Sequence, residues 1–245
     1  MIFIMAVAVF GCIAVVDAAE TQATSSSVLF VGNSYTYYNN LPDMYSKIAY
    51  AGTGDNVNCS VAVYPSRTLA AHSAAITAVI RTKGDASKLS EDERKWFTSY
   101  KYDDLGIPTS EFSKTVYDNY AAAFLDSDTD KTVNYDTMVL QLYYNHGAGD
   151  MSVNEIANSV AAIIRSVNSP KTRYVINVTW GEINNGLDDF AYTQSSLDRC
   201  AESARIMLLN DSSLRGKYAD IELAYSGRTF CNYLYYAGEN TAGER

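Results

Sequence analysis

Residues 26–36 read Ser26-Ser27-Val28-Leu29-Phe30-Val31-Gly32-Asn33-Ser34-Tyr35-Thr36, and this stretch decides the fold. Val28 to Val31 is an unbroken apolar run, as expected of a short strand covered on both faces of a parallel sheet. Gly32 and Asn33 end the run, and a helix is expected to begin near Leu41. A strand, a polar turn and a helix in that order open an α/β unit. In open sheets of this kind ligands bind beyond the carboxyl ends of the strands. Ser34 falls there.

The same alternation continues outward. Val57 to Val63, Thr137 to Leu142, Tyr174 to Val178 and Ile221 to Ala224 are the other strand candidates. The clearest helix opens with Ser152 and Glu155 spaced as a capping box. Val153, Ile156, Val160, Ile163, Ile164 and Val167 follow at helical spacing, and Asn168-Ser169-Pro170 stops it. Further helices are expected from about Thr68 to Arg81 and from about Leu187 to Leu209. The expected fold class is α/β, a three-layer α/β/α domain with a mainly parallel five-stranded sheet. Thr82 to Thr132 departs from this layout, being charged, then aromatic, then acidic, with Gly106 and Pro108 in its middle. It reads as an insert of one or two surface helices, either an active-site lid or a surface excursion.

A length of 245 residues fits one domain of the larger α/β kind. Hydrophobic residues at 47% and charged residues at 19% describe a globular chain. Lys+Arg 19 against Asp+Glu 28 gives a net charge of −9, without the basic footprint that neutralising phosphates requires. No nucleic-acid partner is expected, though a local basic pocket is compatible with that balance. The 20 tyrosines offer flat apolar faces with polar tips, suited to sugar-like ligands.

Residues 1–19 form an apolar run ending in Val16-Asp17-Ala18-Ala19 and read as a secretory signal peptide, a buried N-terminal anchor being the other reading. Cleavage is expected after Ala18 or Ala19, and no later stretch reaches about 18 uninterrupted apolar residues, so no membrane partner is expected of the mature form, whose single domain spans residues 27–245. Cys12 would leave with the signal. Cys59, Cys200 and Cys231 then permit at most one internal disulfide and have no zinc-like spacing. Neither a metal nor a cofactor is expected. Ser34 is either a turn serine that caps a helix or a nucleophile. The chain has neither the G-x-G-x-x-G of a dinucleotide site nor a Walker A loop.

Residues 28–42, VLFVGNSYTYYNNLP, resemble block I of the SGNH hydrolases, or GDSL-like esterases, in the subgroup whose block reads G-N-S-[FY]-T. Tyr64 to His72 is similar to that family's glycine-rich segment ending in L-x-x-H. Tyr135 to Gln141 looks like its W-D-x-V-V-L-Q strand, and Val178-Thr179-Trp180 like its later T-W. The resemblance spans about residues 27–235, with the 82–132 insert unmatched. It implies a flavodoxin-like SGNH fold and a serine hydrolase in which Ser34 is the nucleophile. The backbone N–H of Ser34 and that of Ser66, where the family has glycine, would donate to the oxyanion. Asn145 matches the third donor, with Tyr143 and His146 departing from the family's Gly and Asp.

The substrate pocket implied by the same resemblance takes in Asn33, Tyr35, His72, Gln141, His146 and Trp180. His72 shares a helical face with Leu69, Ile76, Val79 and Ile80, which fits a core histidine or, as the L-x-x-H match, a site wall. His146 is either a site residue or a polar loop residue. Trp180 either lines the groove or covers the sheet edge. The family's base is the histidine of a D-x-x-H pair. The chain's 2 histidines, His72 and His146, stand outside any such pair, so the sequence reads as a fragment ending before its catalytic histidine. The implied function is a secreted esterase acting on small acyl esters, acetyl groups on carbohydrate among them. The other reading is a surface or glycan-binding protein on the same scaffold.

Overall fold

The computed structural model describes residues 25–37, 40–102, 108–145, 148–149, 152–179, 187–229 and 232. The apolar run at Val28 lies in β1 (Ser26–Gly32), followed by one helical turn, α1 (Ser34–Tyr37), and by α2 (Leu41–Thr53). β2 (Val57–Val63) leads to α3 (Leu69–Thr82), a short α4 (Glu91–Arg94), the hairpin β3 (Thr98–Tyr102) and β4 (Pro108–Phe112), and α5 (Lys114–Phe124). The chain continues through β5 (Thr137–Gln141), the small pair β6 (Tyr144–Asn145) and β7 (Ala148–Gly149), and α6 (Val153–Val167). β8 (Arg173–Asn177), α7 (Leu187–Asn210) and β9 (Asp220–Ala224) complete it.

Five of these strands form one all-parallel sheet in the order β2-β1-β5-β8-β9. This is a three-layer, flavodoxin-like α/β/α domain, and its strand order reverses between β1 and β5. Each parallel connection has to cross over with a helix. Along the strands, side chains alternate between the two faces. Leu29, Val31, Met138, Leu140, Tyr174, Ile176 and Ile221 point to one face and are buried against α3 and α6, with α7 packed on α6. Val28 and Phe30 point to the other, where the Phe30 ring meets Tyr45 of α2 edge-on at 5.8 Å. That second face is thinly covered, and α2 leaves Met44, Tyr45 and Ile48 exposed.

α6 follows its sequence pattern closely. Ile156, Val160, Ile163 and Ile164 are fully buried, and each such side chain stabilises the fold by roughly 1.5–3 kcal/mol. Its cap differs from expectation. Ser152 accepts from Glu155 N at 3.4 Å, but the reciprocal half of the capping box is made instead at α4, between Ser90 and Glu93.

The 82–132 segment also differs. It contains a hairpin as well as helices, and α5 is a core helix rather than a surface one. Val116, Tyr117, Tyr120 and Phe124 are buried, and α5 packs on α3. Two tyrosines reach the core because their hydroxyls are satisfied there. Tyr117 Oη lies 2.5 Å from Thr82 Oγ1, and Tyr120 Oη lies 2.7 Å from His72 Nδ1. Among the described residues no helix is long and apolar enough to cross a membrane.

Candidate functional site

The chain leaves β1 at the point where the strand order reverses, the place where open α/β sheets form their crevice. Gly32 is required there by space. A Cβ on it would lie 2.6 Å from Gln141 Oε1 and would also collide with Thr36 Oγ1. That absence lets β5 bring Gln141 directly under the turn. The Gln141 amide donates through Nε2 to Asn33 Oδ1 at 2.6 Å and accepts through Oε1 from the Thr36 hydroxyl. Asn33 Oδ1 also accepts from Tyr35 N at 3.2 Å, and Asn33 Nδ2 donates to Arg67 O at 3.3 Å. Thr36 N closes the turn on Asn33 O at 2.9 Å. Every polar atom in this set is held from below, while Ser34 at the crest stays half-buried.

Ser66 stands at the far side of the Asn33–Arg67 contact, exposed and with φ of 53°. This left-handed backbone costs a residue with a Cβ roughly 1–2 kcal/mol, which a glycine would not pay. Tyr35 is half-buried, and its ring lies 6.3 Å from that of Tyr143 at 45°. Asn145 pairs with Ala148 in the β6–β7 ladder. Its side chain, and all of His146 and Trp180, lie outside the described residues.

The expectation that Asn33, His72 and Gln141 line a substrate pocket is corrected in one respect. All three are buried; Asn33 and Gln141 hold the turn through their amides, while His72 packs with Tyr120. His72 is the most enclosed. Its Nδ1 meets Tyr120 Oη, and its Nε2 has no hydrogen-bond partner. Burial first, and then the neighbouring Arg67 cation, push the imidazole down to about 3. The Gly32 carbonyl pulls weakly the other way without reaching hydrogen-bond geometry. Burial also raises the Tyr120 phenol, so at neutral pH it donates to a neutral ring. Such a histidine is no proton acceptor for Ser34.

A second buried polar group lies at the ends of β8 and β9, and sequence reading missed it. Asp198 of α7, almost fully buried, accepts from Arg228 Nε at 2.6 Å and from Gln194 Nε2 at 3.0 Å. Gln194 Nε2 also reaches Thr179 O at 3.2 Å, and Ser226 Oγ donates to Asn177 Oδ1 at 2.8 Å. Arg228 lies over the Tyr225 ring at 4.2 Å. Gly227 permits this approach, since a Cβ there would strike the Thr179 carbonyl. The only advance signal was the Gln194–Asp198 spacing on one helix face. Among the described residues no group of three or more His, Cys, Asp or Glu is disposed to hold a metal.

No protein-family model, curated protein or solved structure matches this chain.

Proposed function

We propose that this protein is a secreted serine esterase of the SGNH type, acting on small acyl esters through an acyl–Ser34 intermediate. The observation that carries the reading is the Ser34 turn: a serine raised at the reversal of strand order on a turn whose buried amides leave it little freedom. Ser34 Oγ attacks the ester carbonyl and forms the new C–O bond. The alcohol leaves with the proton, and water then hydrolyses the acyl–Ser34 ester. The N–H groups of Ser34 and Ser66, with Asn145, are the proposed donors to the developing oxyanion, where the loss of one costs roughly 2.7–4 kcal/mol.

The proton requires a base. The family's D-x-x-H pair is absent from these 245 residues, and His72 is sequestered with Tyr120. That observation favours a second reading, a glycan-binding protein on the same scaffold. Acetylated oligosaccharides and p-nitrophenyl acetate distinguish the two. Turnover that disappears in Ser34→Ala supports the esterase. Turnover retained in Ser34→Ala overturns the Ser34 assignment. Saturable glycan binding with no turnover in either form makes the binding reading the correct one.

A further inference from the structure

Beside the Ser66 turn lies a cavity of about 220 Å³, walled by Tyr64, Ser66, Arg67, Lys95 and Trp96. Among the described residues no acidic residue lines it, although the chain as a whole carries a net charge of −9. The cations are placed by independent contacts. Arg67 is half-buried, donates through a guanidinium N–H to the Trp96 carbonyl and lies over the Tyr64 ring at 4.7 Å. Among the described residues no carboxylate pairs with it. Lys95 Nζ stands 5.3 Å from the centre of the Trp96 ring. Its partner Asp92, 3.5 Å away, is 93% exposed, so that pair is solvated and contributes little.

A half-buried arginine and an exposed lysine flanked by two aromatic faces, in an otherwise acidic protein, make a local field that selects for an anion with a flat or apolar body. The volume is below the ~300–1,000 Å³ of sites that enclose a whole drug-sized ligand, so it suits one charged group and its ring. Its position relates it to Ser34. Arg67 supplies the carbonyl that holds Asn33, and Ser66 is both a wall of the cavity and the proposed oxyanion donor.

We infer that this cavity is a carboxylate subsite, and that the ester substrates are acylated acidic sugars, with a uronate carboxylate held between Arg67 and Lys95. The inference rests on the esterase reading for its substrate but not for its test. Binding is measured by titration calorimetry on the Ser34→Ala protein, where hydrolysis does not intervene. The probes are digalacturonate and its dimethyl ester, which share a skeleton and differ in charge.

Digalacturonate is expected to bind at least about tenfold more tightly, with the preference shrinking as salt rises. Lys95→Glu, at an exposed position, should abolish the preference. Arg67→Gln, which keeps N–H donors for the Trp96 carbonyl, should do the same with an unchanged circular-dichroism spectrum. Equal affinity for the two probes, no binding of either, or a preference untouched by Lys95→Glu overturns the subsite. A charge preference in a protein that hydrolyses no ester removes the esterase reading and leaves the subsite standing. Hydrolysis of neutral acetyl esters without the preference does the reverse.

Discussion

Beneath the carboxyl ends of β1 and β5 the buried polar groups are amides, a hydroxyl and a histidine kept neutral. Beneath β8 and β9 they are a carboxylate and two amides, the carboxylate paired with a half-exposed guanidinium. The first set joins groups that are all buried, so its hydrogen bonds are strong and indifferent to salt. The second sets a carboxylate side chain that is 4% exposed against an arginine that is 51% exposed, so water and ions reach one partner. The turn that carries Ser34 is therefore fixed by neutral geometry. The segment 226–229, by contrast, adds an ion pair at Arg228 to the neutral hydrogen bonds of Ser226 and Gly227.

The largest effect should come from breaking the neutral set. Gln141→Leu takes the acceptor from the buried Thr36 hydroxyl and leaves Asn33 Oδ1 with the Tyr35 N–H alone, at roughly 1–3 kcal/mol for the unsatisfied hydroxyl plus the lost amide bond. Urea unfolding should show that loss unchanged between low salt and about 1 M salt.

The histidine gives the same region an acid limit. His72 titrates at about 3 when folded, below its ordinary 6.5, so the fold favours the neutral ring. Above pH 6.5 neither state binds the proton and this contribution is complete. As pH falls from 6.5 toward 3 the unfolded chain takes up a proton that the folded chain refuses, and stability declines by up to about 1.4 kcal/mol per pH unit. His72→Gln should flatten that part of the stability–pH curve; an unchanged slope would place the loss elsewhere.

Arg228→Ala should cost less, about 1–2 kcal/mol, because the partner it removes is half in water. Its penalty should shrink with added salt, unlike that of Gln141→Leu, and equal salt responses would erase the contrast between the two clusters. The smallest effect is expected at Tyr174, whose buried hydroxyl has no hydrogen-bond partner. Tyr174→Phe should leave the urea midpoint within about 0.5 kcal/mol of the starting protein or raise it.

What the sequence revealed follows from how local each signal was. The strands at Val28, Val57, Thr137, Tyr174 and Ile221 were legible because short runs rich in β-branched and apolar residues stood between helical patterns. Ser34 was legible as an interruption directly after one of them. α5 was misjudged because Tyr117 and Tyr120 look like surface residues until Thr82 and His72 satisfy their hydroxyls. The support beneath Ser34 was only half legible. Gln141 marks a strand end in sequence, but nothing local tells that its amide bridges Asn33 and Thr36. The Asp198–Arg228 pair, from a helix and from the segment after β9, left no pattern at all.

The contact between Gln141 and Asn33 spans 108 residues, and so does its consequence for folding. On a ribosome the Ser34 turn precedes its support: the strand β5 that pairs along β1 and the amide that locks the turn follow only after β2, α3 and α5 have been made. Pairing at such separation is slow. Meanwhile β1 presents an apolar, unpaired edge, the kind of surface that joins neighbouring chains. The Ser34 turn is thus synthesised well before the residue that secures it and is held only when Gln141 arrives.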